Sequence, residues 1–473
     1  MIQEQNLFDH QIKAVDELYK RKNVLLLRAM GSGKTAIALH LCKKILDNSN
    51  AFILYVCPAH TIIQIFAEKQ KWALDFQLFA PEKNYDYAKL SPGVYVLSYD
   101  RLRRYKDNFI NFNWDLIIAD EFHRAKSELT LNNQVLLLLR KKTKRFVGMT
   151  GSPFQNAPRE FFALLSLIAG RNISEKLESC LLYRNKESGN WLKKMIGWLF
   201  GSKTNRGPVI GIKSPKILSD LIKNLVDYLP AIIYQNQCGI PSITESMELV
   251  KMSSKEVSSY KLCLAKFKKR KYKDFLNDLL DETEIERTCF ALSDLRQILL
   301  NCNGECSTKT AHMCQIIANI YNLHPNSKQI VFCNFVESGV KIITGHLKKI
   351  GIPFDFFIGS TPELKRGEIV KEFKSGSLRV LVISQVGFEG LDLGGTTHVH
   401  IADPHFNPEA TSQLIARATR AGSLVKNVQV NHYLSVSEDL KNGTIDEAIV
   451  KISSRKSAVN KMLAGILCET ETT

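Results

Sequence analysis

The chain has 473 residues, with 64 Lys and Arg against 47 Asp and Glu, which leaves a formal charge of +17. A 45% hydrophobic and 23% charged composition is that of folded protein, and at roughly 100–200 residues per domain the length allows two or three domains. Wholesale disorder is excluded, as is a membrane-spanning helix: the longest apolar run, Phe161 to Gly170, is about half of the ~18–20 residues needed.

The first residues, Met1 to Asn6, lack the basic-then-apolar layout of a secretory signal. Eleven cysteines, an odd number in no regular framework, fit reduced thiols. An intracellular setting is therefore expected, cytoplasm or nucleus, or a viral factory or virion for a viral chain. The positive excess favours a polyanionic partner, because basic surfaces recruit nucleic acid through counterion release.

In chain order, short β-branched apolar runs predict strands at Val24–Leu27, Phe52–Val56, Val94–Leu97, Leu116–Ala119 and Phe146–Met149. Helix-like stretches separate them, the signature of a buried parallel sheet. A second series follows at Ile330–Cys333, Phe354–Ile358, Val380–Ile383, Val399–Ala402 and Val428–Tyr433. Two series predict an α/β fold of two lobes, each a mostly parallel sheet flanked by helices. We place the first lobe at 1–170, a helical, basic insertion and linker at 171–308, and the second lobe at 309–473.

After the first predicted strand comes Arg28-Ala29-Met30-Gly31-Ser32-Gly33-Lys34-Thr35, then an apolar helix. Strand, glycine-rich turn, Lys-Thr and helix form the arrangement that cradles nucleotide phosphates. Glycines let backbone N–H groups close on the anion, Lys34 would neutralise the β/γ-phosphates, and the Thr35 hydroxyl would serve Mg²⁺. Arg28 stands where the strict pattern has its first glycine. Further on, the strand Leu116–Ala119 ends in Asp120-Glu121, at the sheet edge where ligands bind. Asp120 would hold Mg²⁺, and Glu121 would polarise the attacking water as general base.

These residues resemble a superfamily 2 helicase-type ATPase of the Swi/Snf, chromatin-remodeller-like branch. Leu7-Phe8-Asp9-His10-Gln11 is similar to its adenine-reading motif, Asp120-Glu121-Phe122-His123-Arg124-Ala125-Lys126-Ser127 to its acidic signature, and Thr150-Gly151-Ser152-Pro153-Phe154-Gln155-Asn156 to its coupling motif. Ser98-Tyr99-Asp100 resembles a preceding nucleic-acid-contacting motif. In the second half, Gly359-Ser360-Thr361 with Arg366 and Phe373, Ser384 to Leu393, Asp403-Pro404-His405-Phe406-Asn407-Pro408 and Gln413 to Gly422 resemble the branch's remaining motifs in order. Gly443-Thr444-Ile445-Asp446-Glu447 resembles the opening of its C-terminal brace helix. Phe406 stands for the usual Trp, and Asp392 for the usual Asn.

The resemblance implies two RecA-like lobes and a compact form such as those of large DNA viruses or phages. ATP would be held by Gln11, Gly31, Ser32, Gly33, Lys34, Thr35, Asp120 and Gly390, with Mg²⁺ at Thr35 and Asp120. Catalysis would fall to Lys34, Glu121, Arg417 and Arg420, and coupling to Thr150, Ser152 and Gln413. Arg417 and Arg420, three apart on a presumptive helix, share one face, and the family geometry sets both against the γ-phosphate. An arginine finger of this kind is worth ~10³–10⁵ in turnover.

The expected function is an ATP-dependent motor on nucleic acid, foremost a monomeric double-stranded DNA translocase. A strand-separating DNA or RNA helicase is the alternative, and a nucleic-acid-binding scaffold with a vestigial ATPase is the alternative of another class. Two features stand apart. The basic run Lys261 to Lys273, with the aromatics Tyr260, Phe267, Tyr272 and Phe275 interleaved, is read as one helix with a solvated lysine face, with backbone tracking and base stacking as the alternative. Cys302, Cys306, His312 and Cys314 could supply four soft ligands for zinc, but the spacing matches no common finger and free cysteines are ordinary core residues, which is the preferred reading.

Overall fold

The computed structural model describes residues 7–28, 32–81, 90–151, 158–174, 177–178, 182–184, 208–230, 240–267, 269–384, 393–419 and 423–469. The chain divides into two compact units. One comprises Met1–Leu182, Gly211–Tyr234 and Val459–Thr473, and the other Tyr183–Ile210 and Gln235–Ala458.

The first unit begins with α1 (Asp9–Lys20), β1 (Asn23–Arg28), α2 (Lys34–Leu46), β2 (Phe52–Cys57), α3 (Ile62–Lys71) and β3 (Leu78–Phe79). It continues through β4 (Gly93–Ser98), α4 (Tyr99–Arg104), α5 (Lys106–Ile110), β5 (Leu116–Ala119), α6 (Leu131–Arg140), β6 (Arg145–Thr150) and α7 (Pro158–Ala169). Strands β7 (Leu182–Arg184) and β8 (Val209–Ile212), which the unit bounds divide, precede α8 (Pro215–Ile222) and β9 (Val226–Leu229) of the first unit. Seven strands form one sheet in the order β3-β4-β2-β5-β6-β1-β9, every pair parallel.

Val24, Leu25, Leu26 and Leu27 in β1 are all buried, as are all four residues of β5, because helices cover both faces of a parallel sheet. Ile37, Leu39, Leu41 and Cys42 of α2 share a core with Val24 and Leu26 of β1 and Ile53 and Tyr55 of β2. All five strands expected in this half are present. Strand β9 was not legible: Val-Asp-Tyr-Leu alternates too briefly to stand out, and its place at the edge beside β1 is a tertiary matter.

The second unit opens with β10 (Ser242–Lys251), α9 (Ser254–Leu264), α10 (Lys269–Leu276), α11 (Glu282–Ala291) and α12 (Ser293–Ile298). Then come β11 (Asn301–Cys302), β12 (Glu305–Cys306), α13 (Thr308–Leu323), β13 (Gln329–Phe332), α14 (Lys341–Lys349) and β14 (Asp355–Phe357). The chain ends in α15 (Glu363–Ser375), β15 (Val380–Ile383), β16 (His398–Ile401), α16 (Pro408–Ala418), β17 (Asn427–Val436) and α17 (Ile445–Glu469). Its sheet runs β10-β17-β16-β13-β15-β14, again parallel throughout. The fold is thus the expected α/β architecture of two mostly parallel sheets flanked by helices. No helix among the described residues is long and apolar enough to cross a membrane.

One expectation changes here. The basic run is not one helix, because α9 ends at Leu264 and α10 begins at Lys269. Nor do its aromatics face outward for stacking. Tyr260, Tyr272 and Phe275 are buried in one core with Phe267 packed against it, and the Tyr260 and Tyr272 hydroxyls lie 2.9 Å apart. The soft-ligand cluster is dispersed as well. Cys314 is buried while His312, two residues earlier on α13, is exposed and lies 3.8 Å from the Glu248 carboxylate. Residues two apart on a helix do not face one another. Cys302 instead approaches the Ser259 hydroxyl, at 3.6 Å. Among the described residues no three His, Cys, Asp or Glu side chains gather as a metal would require.

Candidate functional site

The buried strand β1 leads into the glycine-rich segment expected to cradle phosphate. Residues 29–31 lie outside the described set, Gly31 with them, and Gly33 caps the N-terminus of α2 with φ +78°. Glycine enters that left-handed region without steric cost. Space demands glycine too: a Cβ on Gly33 would sit 2.1 Å from Gln11 Nε2. Gln11 is itself locked, its Oε1 accepting from the Phe8 N–H (3.0 Å) and its Nε2 donating to the Ser32 carbonyl (3.2 Å). The adenine-motif glutamine is therefore bound to the loop it is expected to serve. Ser32 is buried, and its hydroxyl has no hydrogen-bond partner among the described residues. Lys34 Nζ donates to the Arg28 carbonyl at 3.0 Å. With Lys34 and Thr35 in its first turn and no acidic residue there, α2 has at its N-terminus the positive end of its dipole, the environment an anion requires.

The acidic pair follows β5. The Asp120 N–H continues the ladder to the Val56 carbonyl at 2.7 Å, so Asp120 leaves the sheet in a fixed direction. Its Oδ1 accepts from the Glu121 N–H (2.9 Å), its Oδ2 from the Tyr55 hydroxyl (3.4 Å), and its carbonyl from the Tyr99 hydroxyl (2.8 Å). Glu121 then turns the chain at φ +46°, a region a non-glycine residue rarely adopts and one that clusters at functional sites. Beneath the turn, Phe122 is buried against Gly148 of β6, where a Cβ would lie 2.4 Å from the ring. Any larger residue at 148 would displace the acidic turn.

Burial pushes the Asp120 carboxyl up to about 6, and the neighbouring Glu121 adds to the rise. Lys34, the Glu121 N–H and the Tyr55 hydroxyl oppose it. The Lys34 ammonium is felt at Asp120 because both follow the carboxyl ends of strands in the same parallel sheet. The phenols of Tyr55 and Tyr99 are pushed up by burial and then by Asp120, which keeps them as donors. Between β5 and β1 lies β6, and its last residue, Thr150, registers with Leu27. His123 joins the two motifs, with its Nδ1 3.1 Å from Thr150 Oγ1 and 3.3 Å from Glu121 Oε2. Ser152 lies outside the described residues.

In the second unit α16 opens on Pro408 and is capped by Asn407, whose side chain accepts from the Glu409 N–H at 3.0 Å. Gln413 and Arg417 stand four apart on it and therefore share a face. The helix ends at Ala418, so a shared helical face cannot be extended to Arg420, which lies outside the described residues together with Gly390. Arg366 clamps the Gly359-Ser360-Thr361 turn, donating to the carbonyls of Thr361 (2.9 Å), Ile358 (3.2 Å) and Gly359 (2.7 Å).

Residues 10–304 match the SNF2-related domain, and residues 308–422 match the helicase conserved C-terminal domain. This chain belongs to the SNF2-related family. It is an ATP hydrolase of helicase superfamily 2. Among SNF2-related proteins it is 23% identical to a protein of Acanthamoeba polyphaga mimivirus named ATP-dependent RNA helicase L538, over 95% of this chain and 94% of that one. It is 24% identical to the Homo sapiens DNA repair and recombination protein RAD54B over 94% of this chain and 53% of RAD54B. The Schizosaccharomyces pombe chromatin remodeling factor mit1 shares 22% over 97% of this chain and 33% of mit1. The chain thus spans nearly all of the mimivirus protein and about half or less of the other two. The solved Sulfolobus solfataricus SWI2/SNF2 ATPase core in complex with dsDNA aligns over 99% of this chain and 96% of its own, with 19% identity and a TM-score of 0.43.

For this SNF2-related chain, several contributors carried no sequence signal. Tyr55 reads as an ordinary strand residue, yet its hydroxyl meets Asp120. Arg296, in a helical stretch, is buried with Nη2 2.7 Å from Asp403 Oδ2 and 3.0 Å from the Pro404 carbonyl. Asn334 completes that clamp on Asp403 through its N–H (3.0 Å) and Nδ2 (2.7 Å). Partners so distant in sequence meet only when the strands and helices pack.

Proposed function

We propose that this chain is an ATP- and Mg²⁺-dependent motor that moves along double-stranded DNA as a monomer, its hydrolysis stimulated by nucleic acid. The observation that carries the reading is the convergence of Lys34, Asp120 and Glu121 beyond the carboxyl ends of β1 and β5 in one parallel sheet, Lys34 acting electrostatically on Asp120. In this reading Lys34 neutralises the β/γ-phosphates, and Glu121 orients and deprotonates the attacking water. The donor set of the Thr35 hydroxyl and Asp120 carboxylate is hard oxygen, which suits Mg²⁺. Two adjacent carboxylates, one held up near 6 by burial, are the kind of site that needs a cationic counter-charge. Mg²⁺ bound there would offset charge on the phosphate oxygens. Arg417 and Arg420 stabilise the transferring phosphoryl group, while Gly31, Gly33, Ser32, Gln11 and Gly390 hold the nucleotide. Thr150, Ser152 and Gln413 couple hydrolysis to movement, and the lobes expected at 1–170 and 309–473 are each extended by the segment 171–308, which gives β9 to the first sheet and β10 to the second.

The names of RAD54B and mit1, repair and chromatin proteins, support DNA as the track. A strand-separating or RNA-directed helicase is the second reading, favoured by the name of the mimivirus relative, which matches along nearly its whole length. Phosphate release with and without duplex DNA tests the first step. Lys34→Ala and Glu121→Gln should each lower it by at least ~10²-fold, and a parental rate in both would refute the site. Triplex displacement without unwinding of a forked duplex is expected of a translocase; unwinding selects the helicase.

A further inference from the structure

Arg28, at the end of β1, is not a tolerated irregularity in the phosphate loop. Its side chain is 5% exposed and meets Asp227 of β9, a residue 199 positions away, which is itself 8% exposed. Nη2 and Nε both donate to Asp227 Oδ1, at 2.7 and 3.2 Å, and Nη1 donates to the His10 carbonyl at 3.0 Å. Three parts of the nucleotide site thus meet at one residue. Its backbone carbonyl receives Lys34 Nζ, its side chain holds the turn that carries Gln11, and its residue begins the loop. Parallel pairing of β9 with β1, Leu26 opposite Asp227, brings the carboxylate to this point.

We propose that Asp227 is a positioning residue for nucleotide binding: it holds Arg28 so that the loop lysine and the Gln11 turn keep one relative geometry. The proposal rests on the nucleotide-site reading above. A guanidinium buried this deeply keeps its place only while its charge is matched. Without the Asp227 charge Arg28 swings toward water and releases the His10 carbonyl. Gln11, next in the chain, then shifts against the Ser32 carbonyl that it binds. Loss of ground-state nucleotide binding with the chemical groups left in place appears in KM and not in kcat.

The experiment compares Asp227→Asn, the apolar pair Arg28→Met with Asp227→Leu, and Lys34→Ala. Readouts are methylanthraniloyl-ATP affinity, steady-state ATP hydrolysis with duplex DNA, and thermal melting. Asp227→Asn should weaken nucleotide affinity and raise KM by about tenfold, with kcat within about twofold. The apolar pair should restore melting toward the parental value, since replacing both buried charges is often neutral, yet leave affinity weak because nothing then holds the His10 carbonyl. Parental affinity in Asp227→Asn overturns the proposal. So does recovery of affinity together with stability in the apolar pair, which also decides the matter should Asp227→Asn not fold. Lys34→Ala separates the two readings: hydrolysis unaffected there removes the nucleotide site itself, whatever Asp227 does.

Discussion

The imidazole of His123 stands 3.1 Å from the hydroxyl of Thr150, so the acidic turn after β5 and the end of β6 share a hydrogen bond. The same nitrogen lies 3.3 Å from the Glu121 carboxylate. A displacement of the segment after Thr150 is therefore felt at the proposed general base through one ring. Thr150→Val keeps the shape and removes the hydroxyl. Intrinsic ATP hydrolysis should fall no more than about threefold, whereas the DNA-stimulated rate should fall about tenfold or more. Phosphate release across a duplex titration measures both, and equal losses would assign Thr150 to the chemistry instead of to coupling.

Asp120 sets function against stability. Its folded pKa, near 6, lies above the ordinary 3.8, so its contribution to stability is full below about pH 4 and is lost as pH rises through 6. At pH 8 the buried ionised carboxylate costs at most about 3 kcal/mol. Nucleotide-free Asp120→Asn should accordingly melt higher than the parent at pH 8, the gap closing toward pH 4, while hydrolysis is lost. In the parent, kcat/KM for ATP should decline as pH falls below about 6. A variant that melts lower at pH 8 would show that the carboxylate stabilises the resting site.

Gly33→Ala combines two penalties, a left-handed backbone and a methyl 2.1 Å from Gln11 Nε2. Strain of about 1–2 kcal/mol is expected locally, and Gln11 must leave the Ser32 carbonyl. Affinity for methylanthraniloyl-ATP should drop by about tenfold or more with the circular-dichroism spectrum unchanged. Unaltered affinity would mean that the loop does not hold the nucleotide.

His400, in the middle of the second sheet, makes the acid limb of stability predictable. Its ring is fully buried between the Tyr433 hydroxyl (2.8 Å) and Gln329 Oε1 (3.0 Å), as a neutral imidazole that accepts from the phenol and donates to the amide. Burial, then His398, brings its pKa down to about 3. The depressed value favours the unfolded chain on protonation. Stability is full above about pH 6.5 and declines below it, by at most about 1.4 kcal/mol per pH unit, until about pH 3. Because Asp120 contributes the opposite slope across the same range, the measure is the difference in melting between the parent and His400→Gln from pH 7 to 5, in which the parent should lose ground by this amount as pH falls; a constant difference would place the acid sensitivity elsewhere.

The α/β class, the expected strands, and the placement of Lys34 at a helix start and Asp120 at a strand end were legible because each is local. A strand buried on both faces must be a continuous apolar run, and an anion cradle must place glycines beside Lys34 at a helix start. Long-range pairing has no such local signature. Nothing in Val-Asp-Tyr-Leu announces that β9 will border β1 and bring Asp227 to Arg28. Nothing in the basic run announces that Tyr260, Tyr272 and Phe275 will turn inward to a common core, or that α9 will end before α10 begins. Whether a charge is paired or solvated, and whether an aromatic is core or contact surface, depends on which distant segment covers it. Burial raises the energy at stake in both cases, so packing, not spacing, settled Arg28, Tyr260 and the dispersed cysteines.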